Sequence, residues 1–304
     1  MRHLPGSLMK TTLLLAVLAT ASCVGEEMAG RGALELSVSG GAAVRDGFPH
    51  MEGEHLISFV DGWGLSFDTY VVAVGGVVLT DPRDSRVKGE WVGPKVIDLA
   101  QSAGATEPLA TLRDLPARRL DLAFDFVVPP ASLPPGSADP DDVALMHDNG
   151  WALLVAGEAW RGDESVEFRF GLAAAARYTE CINGKDRTRG IAIEADKTIG
   201  AFIYTHAIHL FWDSLGAGNT KLRFDALAAV QADGVVTEEE LKRQDLTDLR
   251  DGEGRPLLDE SGYPLYDDAG LLPFDRLTLL DFITHAARAG VHFNGIGLCR
   301  TSPL

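Results

Sequence analysis

Two histidines stand three residues apart in the segment Thr205-His-Ala-Ile-His-Leu-Phe-Trp-Asp213, beside a cluster of apolar and aromatic side chains. A third imidazole, His292, opens His-Phe-Asn-Gly-Ile-Gly-Leu-Cys299. Neutral imidazole suits copper and zinc, so His206, His209 and His292 are the candidate ligands of one transition-metal site. The backbone decides whether they can act together. Phe202 to Trp212 is rich in β-branched and aromatic residues and lacks the strong polar helix formers, which predicts a strand. On a regular strand, residues three apart point to opposite faces with Cα atoms ~10 Å apart. His206 then shares a face with Tyr204, Ile208 and Trp212, and His209 with Thr205, Ala207 and Phe211. Only a bulge or a curling strand end brings both imidazoles to one side. Without one, His206 is a core histidine. His285 falls in the last turns of a helix, where a cation complements the dipole without any ligand role. His50-Met-Glu-Gly-Glu-His55 and Met146-His147 also carry soft or polar donors, but their spacing matches no metal motif and a solvated loop accounts for them.

A second constellation has the frame of a calcium loop. In Ala229-Val-Gln-Ala-Asp-Gly-Val-Val-Thr-Glu-Glu-Glu240, Gly234 takes position six, Asp233 position five and Glu240 position twelve. Calcium also needs oxygen ligands from positions one and three, which here are Ala229 and Gln231. A capping box, with Thr237 as N-cap and Glu240 at N3, explains the surviving residues. Calcium binding is therefore the weaker alternative. Signatures of a nucleophile elbow, a zinc protease, a P-loop or a dinucleotide fold are missing. A non-enzymatic protein is expected.

The elements that must position these residues are mainly strands. Leu34 to Ser39, Arg119 to Val127 and Ser165 to Phe170 alternate apolar and polar residues, and Tyr70 to Leu79 is a near-continuous apolar run, as for a strand covered on both faces. Asp61-Gly-Trp and Asn149-Gly-Trp mark turns that lead into strands, and the Pro/Ser/Asp-rich stretch 128–142 is a surface loop. This spacing predicts an antiparallel β-sandwich over residues 34–215. Residues 216–304 read as a C-terminal helical and loop lobe, with helices over Leu222–Ala232, Glu238–Leu249 and Leu277–Ala289, the last closed by Gly290. Between them Gly254-Arg-Pro-Leu-Leu-Asp259 recurs as Gly262-Tyr-Pro-Leu-Tyr-Asp267, a pair of turns.

The N-terminus gives an address. Arg2 and Lys10 precede an apolar run, Thr11 to Ala21, that ends in small residues. This is the pattern of a signal peptide over 1–22 and is too short for a span of ~20 residues. Thr20-Ala-Ser-Cys23 resembles a lipobox, with Thr20 in place of the usual leucine, so that Cys23 becomes a lipidated N-terminus on a tether over 23–33. Ala19-Thr-Ala21 offers plain secretion instead. With Cys23 acylated, Cys181 and Cys299 remain as an even pair, and an oxidising envelope makes them a disulfide that ties the C-terminal lobe to the sandwich. Loss of 1–22 removes two positive charges and no acid, taking the net charge from -17 to -19. That surface argues against nucleic acid as a partner and leaves the membrane, through the anchor, as the expected contact. The location is the bacterial envelope, anchored in the outer membrane, or outside the cell.

Several segments together resemble an uncharacterised family of bacterial envelope lipoproteins. They are Asp61-Gly-Trp-Gly-Leu-Ser-Phe-Asp-Thr-Tyr-Val71, Tyr178-Thr-Glu-Cys181, His206 to Asp213, the calcium-like loop and His292 to Cys299. As a sandwich with a "DGW" strand, the chain is also similar to the periplasmic copper-binding protein that accompanies methanobactin. In that family pattern a carboxylate stands where this chain has Ile208, Ile296 and Ala229. The resemblance implies that any metal here rests on His206, His209 and His292 without those acids.

Overall fold

The computed structural model describes residues 30–304 except 103–104, 133–137, 217, 219, 260, 274 and 276. The expected signal peptide and Cys23 lie outside the described residues. Of the expected tether, residues 31–33 are already strand. Among the described residues the strands are β1 (Arg31–Ser39), β2 (His50–Glu52), β3 (His55–Ile57), β4 (Gly64–Thr80), β5 (Val87–Trp91), β6 (Lys95–Asp98), β7 (Glu107–Pro116) and β8 (Arg119–Phe126). They continue as β9 (Leu153–Arg161), β10 (Glu164–Leu172), β11 (Ala176–Thr179), β12 (Ile191–Ala192), β13 (Thr198–Thr205), β14 (Val235–Thr237), β15 (Val291–Phe293) and β16 (Arg300–Pro303). The helices are α1 (Gly41–Asp46), α2 (Pro140–Asn149), α3 (Asp225–Val230), α4 (Glu238–Arg243) and α5 (Leu279–Ala289).

The strands form the expected sandwich. One sheet runs β15-β13-β1-β7; the other runs β14-β10-β9-β4-β8-β11-β16, with β5 and β6 also on β4 and β12 on β8. Most neighbours are antiparallel, but β1 pairs with β13 and β10 with β14 in parallel. The period-two pattern sets which side chains face inward. In β10, Val166, Phe168 and Phe170 are buried while Ser165, Glu167 and Arg169 are exposed. Leu34, Leu36 and Val38 of β1 join them in one core with Leu122 and Phe124 of β8. Phe211 sits edge-on against Phe59 at 5.1 Å and Phe48 at 5.7 Å, so the segment after β13 is anchored in this core. Truncating such a buried ring to alanine costs about 3–5 kcal/mol.

β4 is the strand covered on both faces. Tyr70 to Val74 are all buried, and Val71 and Ala73 pack outward against Val143, Met146 and Trp151 in a second, smaller core. This corrects the reading of 128–142 as loop throughout, because α2 starts within it. Asp139 accepts a hydrogen bond from the Asp141 N–H at 2.8 Å, Pro140 takes the first turn, and Gly150 closes the helix in the left-handed region. The expected polar loop His50 to His55 is instead a hairpin of β2 and β3.

The C-terminal helices are shorter than the periodicity suggested, apart from α5. Thr278 and Asp281 form a capping box at its start, and Leu279, Phe282, Ile283 and Ala286 are its buried face. The segment after 215 also supplies β14, β15 and β16 to the two sheets. It is woven into the sandwich as well as tied to it. The Asp61-Gly-Trp turn makes one of these joins. Asp61 Oδ2 accepts from the Phe224 and Asp225 N–H groups at 2.7 and 2.9 Å, and Trp63 Nε1 donates to Asp225 Oδ1 at 3.0 Å.

The repeated turns stack. Leu257 N–H donates to the Leu249 carbonyl at 2.9 Å, and Leu265 N–H to the Leu257 carbonyl at 2.8 Å. Within each layer an aspartate caps its own turn: Asp251 Oδ1 accepts from Arg255 N–H and Asp259 Oδ1 from Tyr263 N–H, at 2.8 and 2.9 Å. At a third turn Asp267 Oδ1 accepts instead from the residue two on, Ala269 N–H, at 2.8 Å. Gly254, Gly262 and Gly270 hold φ of 77°, 83° and 70°, the conformation that sets the spacing of the repeat.

Cys181 and Cys299 form the expected disulfide across a sequence separation of 118. Replacing both with alanine is expected to lower the free energy of urea unfolding by about 3–5 kcal/mol, the chain-entropy value for a loop of this length. Paired denaturation curves of oxidised wild type and the double variant check it.

Candidate metal centre

The predicted strand through Trp212 does not form. β13 ends at Thr205, and Ala207–Phe211 is a 3-10 turn. The reason lies in the partner. β15 pairs with β13 only from Ile203 to Thr205, and Gly290, the C-cap of α5, occupies the next position. His206 N–H donates to the Gly290 carbonyl at 2.8 Å, after which His209 N–H bonds back to His206 O at 3.1 Å. In a 3-10 turn residues three apart eclipse one another. The two imidazoles that a strand would have parted are therefore brought together. Their ring centroids are 5.7 Å apart.

His292 completes a triangle. It lies opposite Tyr204 in the β13–β15 ladder, and its ring is 4.5 Å from His206 and 5.6 Å from His209. Imidazole nitrogens at ~2.0 Å from a tetrahedral zinc would place neighbouring ring centroids about 5 Å apart, so the spacing is that of ligands to one ion.

The hydrogen bonds fix the tautomers. A carbonyl oxygen can only accept, so the ring nitrogen facing it carries the proton. His206 Nε2 donates to Gly295 O and His292 Nε2 to Ala289 O, each at 3.2 Å. His206 and His292 thus keep Nδ1 as the lone-pair nitrogen. The Nδ1 atoms of His209 and His292 are buried and unpartnered. A carbonyl on the far N–H is the support that metal-ligating histidines use. One of these carbonyls, Ala289, belongs to the last turn of α5, whose dipole favours a cation nearby.

Burial also keeps the cluster neutral. Desolvation is the first cause for each ring, pushing His206 down to about 4 and His209 to about 3, with the neighbouring imidazoles adding to both. His292 is lowered in the same direction by burial. Even so, the ligand atoms do not meet. Among the described residues no group of three or more His, Cys, Asp or Glu side chains could hold an ion as placed.

Several supporting residues were not singled out by sequence. Trp212 stacks on His209 at 3.5 Å and Tyr204 lies edge-on to His206 at 4.0 Å. Gly290 was read only as a helix end. A Cβ there would lie 3.1 Å from His209 Cγ and 3.2 Å from His206 O, so glycine permits the close approach. Asn294 holds φ of 51° and is buried. Its Oδ1 accepts from Phe202 N–H at 2.9 Å and its Nδ2 donates to Asn183 Oδ1 at 3.2 Å. That latch carries the Gly295 carbonyl to His206, and the Asn-Gly pair after a short apolar run was its signal.

The other candidates do not join. His50 Nδ1 is held by Gly47 O at 2.7 Å, and His147 Nδ1 by Pro129 O at 3.0 Å. In the calcium-like loop the capping box forms. Glu240 accepts from the N–H groups of Thr237 and Ala232, both at 2.9 Å, and Asp233 from Val235 N–H at 3.3 Å. No known family, curated protein or solved structure matches the chain.

The depressed imidazoles make a pH prediction. The unfolded chain takes up protons below about 6.5, whereas the folded His206 and His209 do so only near 4 and 3. Their contribution is therefore complete above pH 6.5 and falls as pH drops toward 4, by roughly 1 kcal/mol per pH unit for each ring. Urea midpoints of wild type should fall more steeply between pH 7 and 5 than those of a His206→Gln/His209→Gln variant. Equal slopes would remove the buried-neutral assignment.

Proposed function

We propose that the protein is a non-enzymatic lipoprotein of the bacterial envelope that binds a transition metal, copper or zinc, through His206, His209 and His292. The observation that carries this reading is the cluster itself. Three imidazoles lie with ring centroids 4.5 to 5.7 Å apart; His206 and His292 bond backbone carbonyls through Nε2, and the Nδ1 atoms of His209 and His292 are buried without partners. Neutral nitrogen donors without a carboxylate favour copper or zinc over calcium or magnesium. The ion would be a bound ligand of the envelope protein, with Cys23 holding the chain to the membrane.

A second reading rests on the same carbonyl contacts. The imidazoles cap the end of α5 and the turn at Gly295, which is a complete structural role for an envelope interaction module without metal. The lack of a converged donor set favours it.

Elemental analysis and calorimetric titration of tag-free protein separate the two. Metal binding predicts near-stoichiometric copper or zinc, lost in His206→Ala/His209→Ala, and quenching of Trp212 fluorescence by Cu²⁺ through the stacked His209. The structural reading predicts no metal in either protein and a lower Tm in the variant. For the anchor, Cys23→Ser is expected to move the protein from the membrane fraction to the soluble one on fractionation of expressing cells; unchanged partitioning would refute lipidation.

A further inference from the structure

The outer face of the smaller sheet carries a groove of about 760 Å³ across β7, β1 and β13, a volume typical of small-molecule sites. Its floor is built by register. Glu35 lies opposite Gly200 and Thr111, and Ser37 opposite Phe202 and Pro108. At Gly200, on the β13 side, an added Cβ would meet nothing within 4 Å, so that side of the floor is open. Two ammonium groups stand at its ends. Lys95 Nζ donates to the Pro108 carbonyl, and Lys185 Nζ to the Gly200 carbonyl at 3.5 Å, 5.9 Å from the Phe202 ring centroid.

Many basic side chains of this acidic chain are drawn to carboxylates, as Arg177 is to Asp125 and Arg189 to Asp121, each at 2.7 Å. Lys95 and Lys185 bond only backbone carbonyls among the described residues. Charge complementarity therefore asks for an anion at each end of the groove. The middle asks for something else. Glu35 is exposed there and repels negative charge placed between the lysines. The span follows from sheet geometry. Pro108 and Gly200 are two strands apart across the sheet and two residues apart along it, which puts their carbonyls roughly 12 Å apart.

We propose that this groove binds an elongated organic anion with an acidic group at each end, one on Lys95 and one on Lys185, its uncharged body crossing β1 beside Phe202. A long-chain α,ω-dicarboxylate has this chemistry. The site is independent of the histidine cluster, and either can fail without the other. Because both ammonium groups are near solvent, binding weakens as salt is raised.

The test is calorimetric titration of the mature protein with decanedioate, with butanedioate and decanoate as controls of length and of the second charge. Gly200→Val is the decisive variant. It puts a branched side chain into the groove from a strand position that favours one, where an added Cβ meets nothing within 4 Å. Decanedioate is expected to bind saturably and more tightly than either control. Lys95→Gln or Lys185→Gln should each weaken it about tenfold, the loss of one charge-assisted hydrogen bond, and Gly200→Val should abolish it at unchanged Tm. Absence of saturable heat from decanedioate, equal affinity for butanedioate or decanoate, or full binding to Gly200→Val would overturn the proposal.

Discussion

One hydrogen bond, from His206 N–H to the Gly290 carbonyl, stops a ladder and starts everything that follows from it. A strand edge offers its backbone groups to whatever comes next. Here β15 contributes three residues, and then the capped end of α5 takes over as the acceptor. From that point the chain can no longer run straight. It coils into a 3-10 turn, drives Phe211 into the core and turns His209 toward the helix that stopped it. Without that contact the histidines would lie on opposite faces of a sheet, and no shared chemistry would exist to discuss.

The rest of the sandwich makes this arrangement stiff. β4 pairs with β5, β6, β8 and β9 along its 17 residues, so both edges of the central strand are used and its position is over-determined. The smaller sheet packs on it through a single core, and α5 closes one end. The disulfide and Asn294 hold the loop that presents Gly295. His206 and His292 are thus oriented by backbone carbonyls whose own places are fixed by a latch and by packing. As placed, the three rings do not converge on one point.

Features governed by near neighbours in the chain were legible in advance. The alternation of β10, the apolar run of β4, the Thr237/Glu240 capping box and the pairing of Cys181 with Cys299 each follow from period, spacing or parity, and each forms. The end of β13 was not legible, because Thr205 to Trp212 carries residues that suit a strand and the cause of its ending is Gly290, far along the chain. For the same reason His292 could be named as a candidate ligand, yet nothing local placed it opposite Tyr204. The helix hidden in the 128–142 stretch had its signal, Asp139-Pro140, masked by the surrounding Pro/Ser composition. Gly290 was read for conformation only and Asn294 was named only as part of its segment, whereas their work is done through space.

The stacked turns between Leu249 and Gly270 differ from the rest in kind. Each layer is closed by its own aspartate and glycine and joined to the next by one leucine backbone bond. The third turn is fixed in place, Asp267 N–H donating to Asp213 O at 3.0 Å and Leu215 N–H to Asp267 O at 2.9 Å. A unit like the two before it can be duplicated or deleted in whole multiples while that anchor stays put, as a link is added to a chain. Length variation among any relatives of this protein has a natural place to accumulate there, in steps of eight residues, while the β13–α5 contact keeps its register.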